Sequence, residues 1–122
     1  MKNLSQIRAA NALKHGKKFA GQKDGDVIKG FPMLILTNGL LAVGAMALEK
    51  KDDKGARKQQ GAHDILCAIA DHLQCLGVAI TKAKDADTLI NELVSPTADA
   101  ALLRRATAET LAFLSYLKRF AT

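Results

Sequence analysis

Four residues with metal-ligating or nucleophilic side chains, His63, Cys67, Asp71 and Cys75, recur at intervals of four. On one α-helix that interval draws a slowly drifting stripe, and His63 with Cys67 has the i, i+4 spacing that can present two ligands to a transition metal. The outermost two would lie about three turns apart, so four such ligands on a straight helix cannot close a tetrahedron. Cysteine next to Ile65 and Leu66 is equally a core residue. The other starting points for chemistry are thinner still. Gly16-Lys17-Lys18 lacks the upstream glycine and the hydroxyl residue of a phosphate-binding loop. No G-x-S-x-G is present. His15, His63 and His72 have no neighbours that suggest a general base. Asp52-Asp53 sits among lysines, a poor place for a raised pKa. The chain is therefore expected to have no active site, no metal and no cofactor; a metal-dependent enzyme using His63 and Cys67 is the reading set against this.

What remains is charge. The net charge is +6, and residues 1–60 hold twelve Lys/Arg against five Asp/Glu while residues 61–122 hold six against seven. The positive excess thus belongs to the first half, a distribution that suits an anionic polymer, most often nucleic acid. Three groups of cations are candidates for phosphate contact. Arg8, Lys14, Lys17 and Lys18 belong to the first helix, the last three clustered at its end. Lys50, Lys51, Lys54, Arg57 and Lys58 lie in the polar stretch Glu49–Gly61. Arg104, Arg105, Lys118 and Arg119 form two pairs spaced by fourteen, which places each pair on nearly one side of a helix about 21 Å apart. The plain alternative is that these are solvated surface charges, with lysines at a helix C-terminus favoured by the dipole.

The elements that must carry these residues are helical. At 122 residues the chain is the size of one domain, here expected to span 1–122. With 48% hydrophobic but only 4% aromatic residues and no β-branched runs, it reads as an all-α bundle of five or six helices. The bundle is organised around Phe31–Lys50, whose first 18 residues carry no charge. A segment apolar on nearly every side is expected to be buried on nearly every side. As one helix those residues would reach only about 27 Å, short for a bilayer, and Pro32, Asn38-Gly39 and Gly44 interrupt them, so a protein core is favoured over a membrane span.

In order, Asn3 with Gln6 forms a capping box for a first helix to about Lys18, with Leu4, Ile7, Ala10 and Leu13 facing inward. Gly21–Gly25 is a loop and Asp26 a cap. Helices over Val27–Asn38 and Leu40–Lys51 meet at Asn38-Gly39, which is either a break or a kink. Ala62–Leu76 is a fourth helix, with Ile65, Ile69, Leu73 and Leu76 on one face and Gly77 closing it. Asp85 caps a fifth through Val94. Ser95-Pro96 starts a last helix to about Phe120, with Leu103, Ala106, Thr110, Phe113, Leu117 and Phe120 inward. Residues 1–22 lack a secretory pattern, and Cys67 and Cys75, about 12 Å apart along a helix, cannot form a disulfide; a cytoplasmic location is expected.

Three segments, in order, carry a resemblance. They are Ser5-Gln6-Ile7-Arg8-Ala9 with Ala12-Leu13; Phe31-Pro32 through Leu34-Ile35, Asn38-Gly39-Leu40-Leu41-Ala42 and Ala45-Met46-Ala47-Leu48; and Arg104–Glu109 followed by Leu114 and Tyr116–Ala121. Together they resemble the small all-helical subunit of the type III-B CRISPR RAMP module, the Cmr effector complex. The resemblance implies a helical domain with no nuclease activity of its own. It implies copies stacked head to tail as an inner filament, set against the backbone RAMP subunits and framing the guide and target RNA in antiviral defence. It does not map individual RNA contacts, and Arg8 and Lys118-Arg119 are equally packing or subunit contacts. The rival reading is a helical protein–protein adaptor without nucleic-acid binding.

Overall fold

The computed structural model describes residues 3–19, 22–49 and 59–120, without the side chains of 22–26. Six α-helices account for most of them, and the described residues contain no strand. They are α1 (Leu4–Gly16), α2 (Gln22–Asn38), α3 (Leu40–Leu48), α4 (Gln60–Gln74), α5 (Ala86–Leu93) and α6 (Ala100–Phe120), with a 3-10 turn at Lys17–Phe19 after α1. The expected all-α bundle is what forms.

The local signals that set helix ends are mostly those written in the chain. Asn3 and Gln6 make a reciprocal capping box, each side chain accepting from the other's backbone N–H at 2.9 Å. Asp85 does the same with Thr88 at the start of α5, and those hydrogen bonds hold its carboxyl below the usual range. Between α2 and α3 the chain breaks: Gly39 sits at φ +88°, and the Asn38 side chain turns back to donate to the Leu34 carbonyl at 3.3 Å. Pro32 lies inside α2.

Four expectations are corrected. Gln22–Asp26 are helical, so α2 begins before the expected loop and cap are over. Ser95-Pro96 belongs to a turn, and Asp99 starts α6 by accepting from the Leu102 N–H at 2.8 Å. α4 ends at Gln74, short of Leu76, which is 96% exposed; the turn after it folds back so that Ile80 and Thr81 donate to the Leu73 carbonyl. Most consequentially, α1 faces inward with Ala12, Gly16, Arg8 and Asn11, leaving Leu13 59% and Leu4 40% exposed. The reason is the closeness of α6: a Cβ on Gly16 would stand 2.7 Å from the Phe120 carbonyl oxygen, so only small residues fit that seam.

The core is built from Phe31, Ile35, Leu40 and Val43 against Ile65, Leu66, Ile69 and Leu73 of α4, Leu89 of α5, and Phe113, Leu114 and Leu117 of α6. The periodic stripes of α4 and α6 are thus buried as expected, except at Leu76, at Leu103, which is half-buried, and at Phe120, which is 38% exposed. The central apolar segment is not wrapped on every side. Met33, Leu34 and Leu36 are 64%, 38% and 66% exposed. Among the described residues no helix is long and apolar enough to cross a membrane.

Candidate nucleic-acid interface

α1 and α6 run parallel: Leu4 shares a pocket with Arg105 and Ala108, Arg8 meets Glu109, and Gly16 meets Phe120. This register decides where the cations go. It puts Lys17-Lys18 at the same end of the molecule as Lys118-Arg119, and leaves Arg104-Arg105 at the other end of α6, about 21 Å away. Lys17, Lys18, Arg104, Arg105, Lys118 and Arg119 all have exposed side chains. Asp85, the N-cap of α5, and Asp87 within it stand on a helix that packs mainly on α3 and α4, and Asp85 and Lys18 both lie near enough to Cys67 to act on its thiol.

Beneath α1 the charges are matched inside the protein. Arg8 grips Glu109 with both arms, Nε donating to Oε2 at 2.7 Å and Nη2 to Oε1 at 2.8 Å. The same Glu109 Oε2 accepts from Nε2 of His72, a fully buried ring, at 2.9 Å. Asn11 Nδ2 donates to His72 Nδ1 at 2.9 Å, which fixes the ring as the neutral Nε2–H tautomer, and the ring stacks on Phe113 at 4.3 Å. Burial pushes the His72 pKa below its ordinary value, outweighing the pull of Glu109 toward the charged form. Burial alone would raise Glu109, but the donors Arg8 and His72 hold it below the usual carboxylate range. One turn along, Asp71 accepts from His15 at 2.8 Å and Lys14 at 3.4 Å, and these contacts likewise outweigh burial and lower it.

Arg8 is therefore placed in a bidentate pair within the bundle, with 22% of its side chain exposed. Lys14, 67% exposed, shares Asp71 with His15 but still reaches the surface. Lys50, Lys51, Lys54, Arg57 and Lys58 lie outside the described residues. His63 and Cys67 approach only to 3.9 Å, while His63 Nε2 points to Asp87 at 3.4 Å; among the described residues no three ligand-type side chains gather around a point. Burial raises the Cys67 thiol pKa, the reverse of an activated thiolate.

A family model described as CRISPR-associated protein (Cas_Cmr5) matches residues 4–122, nearly the whole chain. The chain belongs to that family. It is thereby a small structural subunit of the type III-B Cmr complex, the assignment that the three sequence segments resemble. No curated protein and no solved structure matches the chain. What sequence reasoning missed in this Cas_Cmr5 chain is the polar seam of Arg8, Asn11, His72 and Glu109. Its members are up to 101 positions apart, and no local pattern announces them.

Proposed function

We propose that the chain is a non-catalytic strut of the Cmr complex that lends a basic face to the guide–target RNA, in the prokaryotic cytoplasm and in antiviral defence. The observation that carries this reading is the parallel seating of α1 on α6, which collects Lys17, Lys18, Lys118 and Arg119 at one end with Lys14 beside them. Such a cluster would track phosphates and leave sequence to base pairing. Arg104 and Arg105 supply a second basic point farther along α6. Copies stack head to tail as an inner filament beside the backbone RAMP subunits, and cutting belongs to other subunits.

The test is RNA affinity of the reconstituted complex against salt, with the chain intact or carrying Lys17, Lys18, Lys118 and Arg119 all replaced by Ala. Loss of four phosphate contacts should flatten the log–log slope by about 3, at roughly 0.7 per contact with single-stranded RNA. An unchanged slope favours the adaptor reading, for which the exposed apolar face of α2 speaks.

A further inference from the structure

α2 presents a face that no described residue of the chain covers. Val27, Gly30, Met33, Leu34 and Thr37 line a shallow groove of about 480 Å³, and it meets at Asn38 a second groove of about 540 Å³ between the start of α3 and Leu103, Thr107 and Leu111 of α6. Gly30 stands in the middle of the first. It is helical and exposed, and a Cβ built on it would meet no atom within 4 Å among the described residues. A glycine there weakens the helix relative to alanine, and among the described residues no turn or contact requires it. Elsewhere this chain uses glycine where helices touch closely: Gly16 lies against the Phe120 backbone and Gly44 against Ile90.

The charge of the rim narrows the occupant. Arg104 borders the second groove, Lys29 is exposed one turn from Met33 and two from Leu36, and among the described residues lining either groove none is acidic. A second copy is a poor match. Its exposed apolar side chains on the longer helices stand beside cations of their own: Leu13 by Lys14 and Lys17, Met33 by Lys29, Phe120 by Lys118 and Arg119. Its acidic helix α5 already buries its apolar face at Leu89, Ile90 and Leu93, with Val94 beyond its end left exposed.

We infer that the outer face of α2, notched at Gly30 and flanked by Lys29 and Arg104, docks an amphipathic helix with acidic flanks from a different protein subunit of the complex. The partner's apolar stripe would cover Met33 and Leu34, and its backbone would cross near Gly30, where the missing side chain admits close approach. Membership of the Cmr complex is needed for this, but RNA contact is not.

The experiment uses the full chain in the reconstituted complex. A Met33→Cys variant carrying a benzophenone is photolysed, and the joined peptides are sequenced. The expected product joins Met33→Cys to a segment of another subunit with apolar residues at three- and four-residue steps and an excess of Asp and Glu. A product with a second copy, with RNA, with a basic segment, or no product at all overturns the inference. Gly30→Leu supplies the second arm. It should leave the melting temperature of the isolated chain unchanged or raised, because the site is open, yet lower the affinity for the rest of the complex about tenfold or more. Lys29→Glu should weaken assembly in the same direction, and normal assembly by both variants would also overturn it. RNA affinity of the isolated chain, measured in parallel with the Gly30→Leu variant, should not change; that readout keeps failure of this docking distinct from failure of the RNA reading.

Discussion

Removing the carboxylate of Glu109 should unseat α1. The side chain is 7% exposed and serves three donors at once, Nε and Nη2 of Arg8 and Nε2 of His72. In Glu109→Ala the Arg8 guanidinium loses its counter-ion and the buried imidazole N–H loses its acceptor. Breaking a buried pair costs about 3–5 kcal/mol when the survivor stays dry. Arg8 keeps 22% of its side chain in solvent and can swing outward, which places its share at the low end of that range. The orphaned His72 N–H, with no exposure at all, adds about 1–3 kcal/mol. The two losses are not independent, so the expected total is about 4 kcal/mol, a large part of the roughly 5–15 kcal/mol available to such a domain.

Urea unfolding followed by far-UV circular dichroism measures it. A cycle with Arg8→Met isolates the pair: Arg8→Met and Glu109→Ala together should cost less than the sum of the singles by about 1.5 kcal/mol or more. Replacing all four polar groups at once, as Arg8→Met, Asn11→Leu, Glu109→Leu and His72→Phe, should recover most of the stability, since an apolar seam leaves no orphan behind, whereas keeping Asn11 would strand the amide that donates to His72. A Glu109→Ala loss below about 1 kcal/mol, or strict additivity with Arg8→Met, would refute the idea that this network seats α1.

Stability should also fall as acid is added, beginning near the ordinary histidine pKa. The folded state holds His72 neutral, facing Asn11 and Arg8 from α1, Glu109 and Phe113 from α6, and Asp71 beside it, while the unfolded chain takes up a proton near 6.5. A depressed folded pKa contributes stability above about 6.5 that is lost as pH falls toward the folded value, and His72→Gln should flatten the urea midpoint over that interval. Below it, Glu109 and Asp71, both held low in the fold, add a second decline under their ordinary values of 4.5 and 3.8. Gly16→Val drives side-chain carbons into the Phe120 backbone and should cost about 1–3 kcal/mol, with RNA affinity of the chain falling as the Lys17 and Lys118 ends separate. Gly39→Ala forces alanine to a φ of +88° and should lower stability by about 1–2 kcal/mol by urea midpoint. Leu13→Gln should lie within about 0.5 kcal/mol of wild type, whereas Ala12→Leu should cost about 1–3 kcal/mol, the opposite of what hydropathy would rank.

That inversion marks where the sequence could be read and where it could not. Helix ends at Asn3 and Asp85 depend on hydrogen bonds spanning three residues, so the letters alone reveal them. The buried faces of α4 and α6 are legible for the same reason: Ile65, Ile69 and Leu73, or Ala106, Phe113 and Leu117, repeat at the helical period and have large partners. α1 breaks the rule because its neighbour is too near. Where Gly16 touches the Phe120 backbone there is no room for leucine, and the interface is filled by alanine, glycine and a hydrogen-bonded polar set. Periodicity counts apolar residues and so selects the wrong side of such a helix.

The same inversion bears on the candidate site. Once Arg8 and His15 turn inward to Glu109 and Asp71, the opposite side of α1 is left to Ala10 and Leu13, with Lys14 at its edge and Lys17 in the turn that follows. The basic face therefore exists because the inner face is polar, and the two cannot be altered independently. A substitution that let α1 roll to bury Leu13 would carry Lys14 and Lys17 round with it and strand Arg8 in solvent. The pairing of α1 with α6, a hundred positions away, and with His72 and Asp71 of α4 fixes that roll. The cation count was accessible from composition, but which cations face outward together was not.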